Sequence, residues 1–156
     1  MDDETFLREA VRLAAVHSAA GVNGPFGAVV VRDGAVVGEG WNQVVERHDP
    51  TAHAEVMAIR DASARLGTHV LEGCVLYTSC EPCPLCLAAA YWARIGRVVF
   101  SASSADAAAA GFDDDDIYTE LAKSWPERRV PGEQRLRPEG RAVLDAWLAN
   151  SRKIPY

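Results

Sequence analysis

The sequence predicts an α/β sandwich built on a mixed sheet, and three observations carry that prediction. A helix-period segment opens the chain, a pair of apolar strands around Asp33-Gly34 follows, and two later apolar runs are each preceded by a helical stretch. In order, "ETFLREAVRLAAVHSAA" puts Phe6, Leu7, Ala10, Val11 and Ala14 on one face, which reads as an amphipathic helix that "GVNGP" ends. "FGAVVVRDGAVVGEGWNQV" reads as two strands, and Asp-Gly at their junction signals a type I′ hairpin. "TAHAEVMAIRDASARLG" reads as a helix closed by Gly67. "CVLYTSC" is a short strand, "PCPLCLAAAYWARIG" a helix opened by a proline, and "RVVFSAS" a further strand. The hairpin is antiparallel, while strands joined by helical crossovers run parallel. Beyond it, "SADAAAAGF" fits a short helix or a loop. "DDDDIYTELAKSW" fits a helix with acids at its positive end, and "PEGRAVLDAWLANSRK" a last helix.

At 156 residues the chain suits one domain with an adequate core, and no repeat or linker marks a second. The formal net charge of -6 argues against a nucleic-acid backbone or an anionic membrane as main partner. No apolar run reaches the length of a membrane span. The acidic start "MDDETFLREA" lacks the layout of a signal peptide, so a cytoplasmic protein is expected. In such a compartment clustered cysteines point to metal or thiol chemistry rather than disulfides.

Three of the four cysteines fall in "TSCEPCPLC" at CxxC spacing. Pro82 and Pro84 suit a first helical turn, so Cys83 and Cys86 are expected on one face of that turn at i and i+3. A helix N-terminus favours the thiolate, the form that zinc binds. Cys80 ends a strand, and Cys74 sits in an apolar strand as a core residue. A thioredoxin-like use of the CxxC pairs has no further support in the chain. Upstream, His53-Ala54-Glu55 opens a helix. H-x-E followed by P-C-x-x-C is the signature of zinc nucleobase deaminases. One histidine and two thiolates give three protein ligands and leave the fourth position to water. Glu55 is then the general base that moves protons from the water to the departing amine.

On these residues, and on "NGPFGAVVV", "DPTAHAEVMAIR", "LYTSCEPCPLCLAAAYWARI", "DAAAAGFDDDDIY" and the terminal tyrosine, the chain resembles the cytidine deaminase-like superfamily. Within it, the chain resembles the small bacterial guanine deaminases. The resemblance implies a three-layer α/β/α sandwich with a central mixed five-stranded sheet. It also implies one Zn²⁺ per subunit on His53, Cys83 and Cys86, and hydrolysis of guanine to xanthine and ammonia by attack at C2. The positions matching purine contacts are Phe26, Asn42, Ala54, Trp92, Asp114 and Tyr156. A homodimer is implied in which the C-terminal segment, about residues 138–156, swaps over the partner's site.

The residues themselves leave the substrate open. Trp41, the bulky "VVERH" of Val44–His48, Trp125 and Arg128-Arg129 depart from the family pattern. Guanosine, cytosine, cytidine or an aminotriazine therefore stand as alternatives. A tRNA adenosine deaminase shares the zinc motif but must grip a polyanion, which the acidic balance disfavours. A zinc-stabilised binding module would close the site with a fourth ligand, with Cys80 as the candidate. His17, His48 and His69 read as surface or loop residues.

Overall fold

The computed structural model describes residues 2–112 and 115–156. They form two compact units, Met1–Tyr118 and Thr119–Tyr156. In the first unit, helix α1 (Asp3–Ser18) is capped by Asp2, whose side chain accepts from Thr5 N–H. Strands β1 (Gly27–Arg32) and β2 (Ala35–Trp41) make the hairpin. Asp33 and Gly34 both take positive φ, 51° and 76°, as a type I′ turn requires. Between Val30 and Val31 the register slips by one, which leaves Val37 as a bulge. A short helix α2 (Val44–Arg47) leads to α3 (Ala54–Leu66), which Gly67 closes in the left-handed region. Strand β3 (Cys74–Cys80), helix α4 (Pro84–Trp92), strand β4 (Arg97–Ala102) and helix α5 (Ser104–Ala109) follow. Helix α6 (Asp115–Ala122) runs across the junction of the two units.

The sheet order is β2-β1-β3-β4, antiparallel at its first two pairings and parallel between β3 and β4. The mixed sandwich is as expected, but among the described residues the sheet has four strands rather than five. Past β4 the chain reads Ser-Ala-Asp-Ala-Ala-Ala-Ala, which favours helix and packs poorly as a strand, and α5 forms there.

Alternation along β1 divides the core. Val29 and Val31 face Phe6 and Leu13 of α1, while Ala28 and Val30 face the alanines of α3 and α4. The α3 face is all small residues, Ala54, Ala58 and Ala62, so its backbone lies hard against Gly38 and Gly40 of β2. A Cβ at Gly40 would overlap Ala54 O and Ala58 N. This contact fixes where α3 begins, and so where His53 stands.

The second unit holds the end of α6, a 3₁₀ turn over Trp125–Glu127 and helix α7 (Arg137–Ala149). The Arg128 guanidinium lies 4.2 Å over the Trp125 ring. Among the described residues, no helix is long and apolar enough to cross a membrane.

Candidate active site

The loop from β2 to α3 sets the histidine. Gln43 N–H donates to Ala52 O at 2.9 Å, Asp49 accepts from both Thr51 N–H and its hydroxyl, and His53 N–H donates to Thr51 O at 2.8 Å. His53 is then the extended residue just ahead of α3. Cys83 occupies the same position ahead of α4, with Pro84 at the first helical place. The expectation that both cysteines share the first turn is thus adjusted. Cys83 lies one residue before the helix, and Cys86 lies inside it and is fully buried.

His53 Nδ1 is 3.5 Å from each of Cys83 Sγ and Cys86 Sγ, and the two sulfurs are 3.6 Å apart. With zinc–sulfur and zinc–nitrogen bonds of ordinary length, a tetrahedral site needs donor separations of about 3.8 Å and about 3.6 Å. The three donors therefore fit three corners of a tetrahedral zinc site. Among the described residues no fourth histidine, cysteine or carboxylate joins the group. Cys80 is buried and donates to Ser103 O at 3.5 Å, away from the set. A closed four-ligand site is not what these residues build.

Glu55 is held from both sides. Thr78 Oγ1 donates to its Oε1 at 3.2 Å and Cys86 Sγ to its Oε2 at 3.3 Å. Burial pushes its carboxyl above the usual range. The Cys83 thiol is lowered to about 4 by the hydrogen bond with Cys86 and then by His53, while Cys86 is pushed up by Cys83 and by burial. A divalent cation in the set would favour two thiolates.

His53, Glu55 and Cys83 line a cavity of about 300 Å³, together with Phe26, Asn42, Ala54, Cys80, Glu81, Ala107 and Phe112. That size and mixed lining suit a small planar ligand. Asn42 is buried, and its Oδ1 accepts from Gly24 N–H and Val44 N–H, both at 3.3 Å. Its acceptor capacity is used by the backbone, so Nδ2 is what it offers a ligand. The Phe26 and Phe112 rings meet edge to face, with centroids 4.9 Å apart.

The structure thus brings Phe26, Asn42, His53, Ala54, Glu55 and Cys83 to one cavity, with Cys86 behind them. It does not bring Trp92 there. Trp92 ends α4, is 65% exposed and is not among the described residues lining the cavity. Six residues beyond Cys86 is about 240° around the helix, so the two side chains leave it about 120° apart. Asp114 lies outside the described residues. Tyr156 belongs to the second unit and is 78% exposed. His17, expected as a surface or loop residue, stacks on Trp41 with centroids 3.7 Å apart. Phe112 and Glu81 were not singled out by sequence. Phe112 adjoins the acidic run and Glu81 precedes Pro82-Cys83, but neither spacing signals a wall of a pocket.

A family model for the cytidine and deoxycytidylate deaminase zinc-binding region matches residues 1–102. The chain is 51% identical to guanine deaminase of Bacillus subtilis over 156 residues, covering 100% of both. An X-ray structure of guanine deaminase from Bacillus subtilis superposes with a TM-score of 0.96, covering 100% of this chain and 99% of that one. To the tRNA-specific adenosine deaminase of Aquifex aeolicus the chain is 45% identical over 102 residues, 65% of this chain and 67% of that one.

Proposed function

The chain belongs to the cytidine and deoxycytidylate deaminase family, and on that premise we propose that it is a zinc-dependent aminohydrolase converting guanine to xanthine and ammonia. The observation that carries the chemistry is the spacing of His53, Cys83 and Cys86 beside a buried carboxylate in one cavity. The choice of guanine is supported by the full-length likeness to a guanine deaminase, where the tRNA enzyme matches only part of the chain. An RNA substrate would also call for a basic surface, and the net charge is -6.

His53, Cys83 and Cys86 hold one zinc per chain. When bound, the ion supplies Lewis acidity that brings the pKa of a water toward neutrality. Glu55 takes a proton from the attacking water and delivers it to the departing amine. The bond from C2 to the amino nitrogen breaks, a C2–O bond forms, and ammonia leaves. Thr78 keeps the carboxylate aimed by donating its hydroxyl to Oε1. Phe26 and Phe112, in contact edge to face, form one aromatic wall against which the planar base packs, Asn42 Nδ2 donates to an acceptor on its edge, and Ala54 leaves room for it.

Asp114 accepts from a ring N–H or the amino group in this reading. Two chains form a homodimer in the cytoplasm, in which the segment of about residues 138–156 swaps and places Tyr156 over the partner's cavity. This is supported by α7, which leaves Val143, Leu144, Trp147 and Leu148 exposed on an amphipathic helix, as are Ile154 and Tyr156 beyond it.

Ammonia release from guanine, guanosine, cytosine, cytidine, adenine and aminotriazines, each at equal concentration, tests the proposal. Guanine is expected to lead the panel with xanthine as product. A higher kcat/KM for cytosine or for a nucleoside would replace guanine as the substrate.

A further inference from the structure

Two hydrogen bonds beside the metal ligands serve neither the zinc set nor Glu55. Glu81 Oε2 accepts from Ser104 N–H, the first residue of α5, at 2.9 Å, and Glu81 N–H donates to Ala102 O at 2.8 Å. One residue on, Pro82 O accepts from the Tyr118 hydroxyl of α6 at 3.0 Å. Cys80 adds a thiol bond to Ser103 O. The three residues ahead of Cys83 are therefore fastened to the segments on either side of Phe112. Within that stretch α5 brings Ala107 to the cavity, and Phe112 N–H donates to Ala107 O at 2.9 Å. A continuous set of contacts therefore runs from the start of α5 through Phe112 to the Phe26 ring.

We propose that Glu81, aided by Tyr118, is a positioning residue that latches the Phe112 wall to the metal-ligand loop and so sets how tightly the base is held. This rests on the purine-deaminase reading for its substrate, but not for its geometry. Loosening a wall that grips substrate and transition state alike raises KM and spares kcat.

The test is Glu81→Ala, with Ser104→Pro as an approach from the other side. Ser103 is already extended, at φ −87° and ψ 166°, as a residue before proline must be, and proline suits the first helical position. Each variant is expected to keep one zinc per chain and to raise KM for guanine about tenfold with kcat changed less than about threefold. Amide exchange across residues 104–112 is expected to quicken in both. Because they remove the same bond, the double variant is expected to be no worse than either single one. Glu81→Gln, which still accepts from Ser104, restores KM to within about threefold of wild type. Tyr118→Phe raises KM less than Glu81→Ala. An unchanged KM and exchange rate in Glu81→Ala, additive losses in the double variant, or a Gln variant as weak as Ala would each overturn the latch. Should the wild-type enzyme not deaminate guanine, the substrate reading falls while the exchange measurement still decides the latch.

Discussion

Glu55 lies beside the metal ligands without belonging to their group, which makes its replacement informative. Glu55→Gln keeps the shape and the bond from Thr78 but cannot carry a proton. Turnover is expected to fall by about a hundredfold to ten-thousandfold, with zinc content unchanged by metal analysis. Full activity in that variant would remove Glu55 from the proton path. Asn42→Asp keeps the acceptor for Gly24 and Val44 N–H, so the thermal midpoint should hold. Losing the Nδ2 donor should raise KM by about tenfold, and an unaltered KM would show that the base does not use it. Residues of this kind were legible in the sequence when their spacing was local. His53 and Glu55 sit two apart, and Cys83 and Cys86 three apart, so one helix start defines each pair. Glu81 and Phe112 were not legible. They meet the site only because the parallel register sets Cys80 beside Ala102, and no local spacing encodes that pairing.

At the scale of elements, the contact of α3 with β2 places the histidine. Gly40→Ala drives a methyl into the start of α3 and is expected to cost about 1–3 kcal/mol by urea unfolding, with weaker zinc retention. Equal zinc affinity would mean that His53 is placed by the loop alone. Helix α1 is tied to β4 by Asp3, which pairs with Arg97 at 2.6 Å and accepts from the Tyr77 hydroxyl at 2.7 Å. Arg97 first, then Tyr77, holds the Asp3 carboxyl below its ordinary value of 3.8. The unfolded chain therefore binds the proton more readily, and the pair stabilises the fold above pH 3.8. Asp3→Asn should unfold at lower urea than wild type at neutral pH, and the gap should close as pH falls through the lowered Asp3 value. A gap independent of pH would mean the ion pair contributes nothing. The hairpin and both strand–helix crossovers could be read ahead of the structure because Asp33-Gly34, Gly67 and Pro84 mark their turns and ends. The fifth strand was implied by family likeness rather than by residues, and the alanine run at 107–110 has no strand pattern to support one.

For the whole molecule, losing the metal and losing the tail are expected to differ in their effect on stability. A chelator should abolish turnover and lower the thermal midpoint, since the three donors are brought together only by the fold and zinc binds the folded chain more tightly. At zinc a thousandfold over its Kd the lost stability is about 4 kcal/mol. An unmoved midpoint would mean that the ion binds too weakly to contribute. Removing Ile154–Tyr156 should reduce turnover far more than stability, and sedimentation should give a dimer for both chains. Equal turnover after truncation would return the tail to an ordinary exposed end. The role proposed for the tail could not be read from spacing, because it invokes a second copy.

The three donor atoms stand at tetrahedral separations through backbone alone, each held at or within one turn of a helix start that is packed on the sheet. Such a site is a template rather than a clasp. Little reorganisation attends filling it, so metal exchange need not pass through unfolding. A cobalt-substituted protein should then form at neutral pH and show the intense visible absorption of a four-coordinate thiolate complex, giving a colour that reports on substrate entering the remaining position.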